Sequence, residues 1–412
     1  MRKIRFFCDT NNNFVYLSRI IKSFGFDAKV VSKFSIEGVF YRVFDTIRKK
    51  SDWDSLFIDK FFESQAFYRN WFMDENKSKN YLNEILDGDC ISIGSSYAPA
   101  IFELMGKKLD VFFPTGSDSF YMPFYKDKEK IERDFNVRLR AMIKDGYQRG
   151  GVKGLLFSLK KFYSLPRLQK SGIENSNIAL QDPCYLEGWK NQTSLKITKL
   201  AIPMYDPDDV MVKDSASVIS KIAKEIRLSC DFLAVCFQKN NLDKGTDSFV
   251  EGFIKFYNHF NGKAKLIISE RGGQWWVSRN FPQEFKKLVD KKDIIIAPSL
   301  PSSELCEVYQ FADCAFGMIN NYDSYLNSTI SEILALGIPL ISKIKKNYLN
   351  QLSDVYPYLH VESSGDVCNA LKLLSSNNAL KDRLSVESKE WFTQFRKSEG
   401  EKWVKFLSSL PN

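Results

Sequence analysis

Apolar and polar positions alternate along this chain in two registers, short runs of four to eight apolar residues and longer stretches with one apolar face, and the two keep taking turns. A short run bounded by turn residues reads as a buried strand, and apolar residues three and four apart read as a helix. In the first half the pattern predicts strands at "KIRFFCD", "AKVVS", "CISIG", "LDVFFPTGSD", "SNIALQD" and "SLKITKLAIP". Helices are predicted at "FVYLSRIIKSFGF", "YLNEILDG" and "APAIFELMGKK", and the aromatic-rich stretch from Phe34 to Phe72 reads as a long excursion. The second half repeats the alternation with strands "CDFLAVCF", "AKLIIS", "KDIIIAPSL", "DCAFGMI" and "IPLISK", separated by helices "DSFVEGFIKFYNHF", "PQEFKKLVD", "SSELCEVYQFA" and "STISEILALG". Such an order predicts an α/β protein with parallel sheets covered by helices on both faces. Between the halves, Ile202 to Asp214 holds two prolines and four aspartates, which marks a domain boundary. We therefore expect an N-terminal Rossmann-like domain over 1–205 and a second over 206–385, followed by a helix over 386–412 that packs back toward the first.

Length and composition agree with this division. A chain of 412 residues exceeds what one core usually serves, and 44% apolar residues are ample for two. No run of about 18 or more apolar residues is present, and the start "MRKIRFFCDT" has neither the apolar region nor the cleavage site of a signal peptide, so the expected location is cytoplasmic. Eight cysteines without a C-x-x-C pair fit reduced thiols rather than a disulfide or metal framework. With only His259 and His360 available, a histidine-based triad has little to draw on.

The net charge of +9 is concentrated. Between Lys126 and Lys170 there are thirteen Lys or Arg against five acids, a net of +8. Within this segment "GGVKGLLFSLKKFYSLPRL" sets Leu, Phe and Tyr among the cations, a composition suited to an anionic membrane surface. It equally suits a solvated helix packed by its apolar side. Nucleic acid is the least favoured partner, because no nucleic-acid module accompanies the charge.

A sheet of tandem βα units binds its ligand outside the carboxyl ends of its strands. That directs attention to "QKNNLDKGTDSF", the loop after "VCF", where Lys239 and Lys244 bracket a polar tip and Gly245 follows. Taken alone this is an exposed turn with two solvated lysines. In order and spacing, however, "DKGTDSFVEGF", "ELCEVYQFADCAF" and "STISEILALGIPLIS" resemble the donor-binding half of nucleotide-sugar glycosyltransferases of the GT-B fold, in particular the large retaining group that includes sucrose synthases and many polysaccharide-assembly enzymes. The resemblance covers Asp231 to about Lys343.

What it implies is specific. The expected architecture is GT-B, two Rossmann-like domains facing across a cleft. In the family an Arg and a Lys about five residues apart grip the donor diphosphate. Lys244 matches the Lys, and Lys239 stands where the Arg usually is, keeping the charge without the bidentate fork. The family's ribose-binding glutamate matches Glu332, whose other reading is a favourable charge near a helix start. The start of the same helix, with Ser328, Thr329 and Ile330, offers unpaired amides to phosphate. Many members carry another Glu eight positions earlier, where this chain has Ser324 beside Asp323, so the sugar is not specified. "SERGGQWW" could bring Arg271 or the Gly272 amide to the nucleotide. In the first half, "FFPTGSDSFYMPF" places Asp118 where a carboxylate could take the acceptor's proton, or simply close an Asx-turn. "CDTNNNF" supplies Asn11, Asn12 and Asn13 at the first strand's end, a polar turn where the family has a glycine-rich loop.

The resulting expectation is a glycosyltransferase, retaining by resemblance, that moves a sugar from a nucleotide-sugar donor to a saccharide or lipid-linked acceptor in surface polysaccharide or glycoconjugate assembly. No metal or other cofactor is called for by the sequence. The alternatives are another GT-B enzyme, such as a sugar-nucleotide epimerase or a polyol-phosphate transferase, and a non-catalytic scaffold that binds membrane or polymer.

Overall fold

In the computed structural model, residues 2–7, 13–31, 57–58, 75–95, 98–113, 151–152, 167–180, 197–202, 218–238, 245–270, 283–298, 300, 302–319, 326, 328–343 and 357–411 are described. They form two units. Of the described residues, the first takes in those up to Ile202 and those from Glu399 onward, and the second takes in those between Pro203 and Ser398.

The first unit is a seven-stranded sheet. Its strands are β1 (Lys3–Phe7), β2 (Asp27–Val31), β3 (Phe57–Ile58), β4 (Cys90–Gly94), β5 (Val111–Phe112), β6 (Asn177–Leu180) and β7 (Ile197–Lys199), in the spatial order β3-β2-β1-β4-β5-β6-β7. Every neighbouring pair is parallel. Parallel neighbours need crossovers, supplied here by α1 (Asn13–Ser23), α2 (Glu75–Ile85), α3 (Ala98–Leu104) and a helix over 167–174. The sequence predicts six strands here. The seventh, β3, is a two-residue strand at the sheet edge, inside the aromatic excursion, where two residues carry no readable period.

The second unit has six strands in the order β10-β9-β8-β11-β12-β13, again all parallel. They are β8 (Phe232–Cys236), β9 (Ala264–Ser269), β10 (Ile294–Ala297), β11 (Cys314–Phe316), β12 (Leu340–Ser342) and β13 (Tyr358–His360). Their helices are α4 (Val218–Leu228), α5 (Thr246–Tyr257), α6 (Gln283–Asp290), α7 (Ser302–Tyr309), α8 (Ser328–Leu336), α9 (Ser364–Ser376) and α10 (Asn378–Ser409). All five residues of β8 are buried, as a strand with helices on both faces requires. Phe249 of α5 stacks on Phe316 of β11 at 4.5 Å between ring centroids, in the middle of the core. The chain lays down β8, β9 and β10 to one side of β8, then crosses to β11 on the other. The gap between the carboxyl ends of β8 and β11 is therefore the switch point, where open α/β sheets take their ligands.

The amino end of this sheet is held by charge. Asp313, 8% exposed, accepts the Leu233 N–H at 2.8 Å and pairs with Lys381 at 2.8 Å and Arg227 at 3.5 Å, joining α10 and α4 to the start of β11. Further along, α10 runs unbroken through 386, where the sequence-based division begins a separate segment, and its last residues from Glu399 belong to the first unit. There Ala201 is gripped on both sides: Glu399 Oε2 accepts its N–H at 2.9 Å and Trp403 Nε1 donates to its C=O at 2.7 Å. Arg2 holds the end of the helix, donating to the carbonyls of Leu407, Leu410 and Pro411.

Candidate functional site

The switch point of the second unit is built around a glycine. Gly245 caps the start of α5 with φ +70, a left-handed conformation, and provides no side-chain hydrogen bond to the helix. A Cβ added here would lie 1.5 Å from the Ile319 carbonyl oxygen. Only glycine lets the β8–α5 turn press this closely on the chain leaving β11. The other side of the contact is rigid, because Ser342 Oγ on β12 accepts the Met318 N–H at 3.0 Å and donates to the Met318 C=O at 3.1 Å, and the Lys343 N–H reaches the same carbonyl at 2.7 Å.

The start of α8 approaches the same stretch. A Cβ on Gly317 would meet Ile330 Cγ1 at 3.1 Å and Ser342 Oγ at 2.5 Å, so the first turn of α8 lies directly over the end of β11. Two helix N-termini therefore converge on residues 317–319, each with backbone N–H groups that lack an intrahelical partner. Anions are favoured at such ends by those donors and by the helix dipole. No acidic residue occupies the first turn of α8.

Of the residues the sequence nominates, the structure brings together Gly245, Ser328 and Thr329. The latter two open α8, with Thr329 half-buried. Glu332, also on α8, is 5% exposed and is engaged by its surroundings. A carboxylate this deep is costly unless it has partners, so it is more than a surface charge near a helix start. Lys239, Lys244, Arg271, Asp323, Ser324 and Asp118 lie outside the described residues, as do Asn11, Asn12, Gly272 and most of the basic segment 126–170. Asn13 begins α1.

Two polar residues at the site go unnoticed in the sequence. Gln238, just past β8, is 4% exposed and hydrogen-bonds the Cys236 thiol. Burial pushes that thiol up to about 12, with the Gln238 bonds pulling in the opposite direction, so Cys236 stays protonated and serves packing rather than nucleophilic attack. The second is Thr246, the first residue of α5, which is 0% exposed and whose hydroxyl has no hydrogen-bond partner among the described residues. Single polar residues have no periodicity, and only their burial marks them.

The histidines take other positions. His259 follows the C-terminal end of α5, in the connection to the start of β9 and so at the end of the strands opposite the switch point, and its Nδ1 lies 2.8 Å from the Lys255 carbonyl. His360 ends β13, two strands out from β11, with Nε2 3.2 Å from Glu362. Among the described residues no group of three or more His, Cys, Asp or Glu side chains could hold a metal ion, and no helix is long and apolar enough to cross a membrane.

No family model matches this chain, and no curated protein matches its sequence. Its structure does have counterparts. HepE of Anabaena, solved in complex with UDP-glucose, superposes with a TM-score of 0.61 over 100% of both chains at 10% identity. A glycosyltransferase of Rickettsia africae gives 0.58 at 13% identity, covering 99% of this chain and 98% of its own. Sucrose-phosphate synthase of Thermosynechococcus elongatus gives 0.58 at 11% identity, covering 100% and 99%. Similarity that spans both units at such low identity is similarity of fold, and the fold is the GT-B type, with two doubly wound parallel sheets, that the resemblance in the second half leads one to expect.

Proposed function

We propose that the protein is a glycosyltransferase that moves a sugar from a nucleotide-sugar donor to an acceptor hydroxyl. The observation that carries this reading is the convergence of the α5 and α8 starts on residues 317–319 at the switch point of the second unit. A sugar nucleotide departs as a diphosphate, and the enzyme must neutralise that charge as the glycosidic bond breaks. Helix amides and the two lysines of the preceding loop, Lys239 and Lys244, are groups of the right kind. Glu332 binds the ribose hydroxyls, Gly245 brings the loop up to the strand end, and Ser328 and Thr329 present the α8 amides. Arg271, Asp323 and Ser324 complete the donor side. Asp118 takes the acceptor's proton. HepE, whose structure holds UDP-glucose, lends the reading further support.

The acceptor is a saccharide or a lipid-linked saccharide, and the reaction retains anomeric configuration. The basic segment 126–170 meets an anionic membrane surface from the cytoplasmic side, which would bring a lipid-linked acceptor within reach. Thermal shift with UDP-, GDP-, ADP- and CMP-sugars tests the core of this reading. A donor at about 100 times its Kd stabilises the folded state by roughly 2.7 kcal/mol. If none of the four raises the melting temperature, the donor site is wrong. Turnover of the selected donor without any acceptor would point instead to an epimerase.

A further inference from the structure

We infer that Thr246 is a further phosphate-binding residue, its hydroxyl donating to an oxygen of the donor diphosphate at the start of α5. The inference rests on the nucleotide-sugar reading above and adds to it a contact on a second helix.

Three observations meet at this residue. The first is position. Thr246 follows Gly245, whose α-carbon stands against the Ile319 carbonyl, so the first turn of α5 begins at the mouth of the switch point. The second is the missing cap. Helices commonly begin with a side chain that accepts from the first-turn amides, but glycine supplies none here, and those N–H groups remain available to an outside acceptor. The third is the hydroxyl itself, 0% exposed with no hydrogen-bond partner among the described residues. In a helix the Cα–Cβ bond leans toward the N-terminus, so this side chain points to the same end as the uncapped amides. A buried hydroxyl without a partner costs stability. A phosphate oxygen removes that cost by accepting from the hydroxyl and the adjacent N–H together. Asp247 in the same turn weakens the positive end of the helix without removing its donors. Because the hydroxyl is covered, ligand entry has to uncover it, and the bond then forms away from bulk water, where a charged acceptor binds most strongly.

The test uses the full chain and two substitutions, Thr246→Val, which keeps the shape and removes the hydroxyl, and Thr246→Ser, which keeps the hydroxyl. Calorimetric titration compares the nucleoside diphosphate selected by the panel with its nucleoside, for example UDP with uridine. Thr246→Val should bind UDP about 10-fold more weakly, about 1.4 kcal/mol, bind uridine as the wild type does, and melt no lower than the wild type without ligand. Thr246→Ser should bind UDP within about 2-fold of the wild type. A merely structural threonine would behave differently, with Val lowering the melting temperature and both ligands losing affinity alike. That pattern, or an unchanged UDP affinity in Thr246→Val, overturns the assignment while leaving the donor site standing. If the wild type binds no nucleoside diphosphate at all, the donor reading falls and the Thr246 contact falls with it.

Discussion

Replacing Gly245 by Ala probes the geometry on which the proposed donor site depends. Two costs follow. An alanine at φ +70 pays roughly 1–2 kcal/mol for the left-handed conformation. The new Cβ also lies 1.5 Å from the Ile319 oxygen, whereas real Cβ contacts essentially never fall under 3.0 Å, so the two segments must part by about 1.5 Å. Met318 is fixed to Ser342 and Lys343 by three hydrogen bonds of 2.7 to 3.1 Å, so the strand end cannot retreat cheaply. The displacement falls on the β8–α5 turn and carries the start of α5 with it. The total loss of stability should be about 2–4 kcal/mol. A misplacement of about 1 Å can reduce catalysis about 100-fold, and a loss of that order is expected in donor turnover. Urea denaturation read at constant m, with donor kinetics on the folded fraction, measures both. Gly106→Ala is the control: its φ is +65 but nothing lies within 4 Å of the new Cβ, so it should pay only the backbone cost and leave turnover unchanged. A Gly245→Ala protein with the wild-type urea midpoint and wild-type turnover would refute the argument that this contact shapes the site.

Other substitutions test other parts of the chain. Lys244→Ala should weaken UDP binding by about 10-fold or more while sparing uridine, since it removes a charge at the phosphate, whereas Glu332→Gln should weaken both, since ribose is common to the two; calorimetry separates them. Glu399→Ala leaves the buried Ala201 N–H without its acceptor, at a cost of about 1–3 kcal/mol, and a urea double-mutant cycle with Trp403→Phe should be non-additive because both side chains hold Ala201. Burial raises the Asp27 carboxyl, but the hydrogen bond and charge of Arg5 outweigh it and hold the group below its ordinary 3.8. Its contribution is therefore present above that pH and is lost as pH falls through the lower folded value, so Asp27→Asn should flatten the acid limb of a stability profile. If the basic segment docks on membranes, the protein should float with anionic vesicles at low salt and be released as salt rises. Replacing Lys153, Lys160, Lys161 and Arg167 with Gln should abolish flotation and spare donor binding; wild-type protein that ignores such vesicles rules the docking out.

Much of the fold is legible in the sequence because its sheets are parallel. Strands covered on both faces are largely apolar, so "FLAVC" stands out as an uninterrupted run and "CISIG" and "AKLIIS" as runs broken only by Ser92 and by Lys265 and the terminal Ser269. Edges are harder to read. β13 is three residues at the sheet margin, two half-buried and one exposed, and its composition has nothing to set it apart from a loop. The C-terminal helix is expected from 386, but its start at Asn378 and the polar members of its buried row are harder to read. Leu384, Ser388, Phe392, Phe395, Glu399 and Trp403 are all buried at helical spacing, but a serine and a glutamate in that row break the apolar stripe. Each polar member is there for a partner distant in sequence: Ser388 donates to the Pro357 carbonyl and Glu399 accepts from Ala201. A periodicity argument cannot anticipate a buried carboxylate that exists to hold a backbone amide some two hundred residues away.

The proposed donor site is legible to a different extent, and the reason lies in what each position has to do. A buried strand position asks only for apolar bulk, so Val, Ile, Leu and Phe interchange there, and two chains can share a fold at about 10% identity with a TM-score of 0.61. Gly245 has no such freedom. Its conformation and its distance from Ile319 exclude every side chain, and it lies in "DKGTDSF", a stretch through which the resemblance is visible. Thr246 is the opposite case. Nothing in its neighbours' identities shows that a hydroxyl there will be enclosed without a hydrogen-bond partner among the described residues, because enclosure is set by how the chain folds around it. Positions defined by exclusion leave a mark on the sequence, whereas positions defined by an unmet hydrogen bond become visible only when the chain is folded.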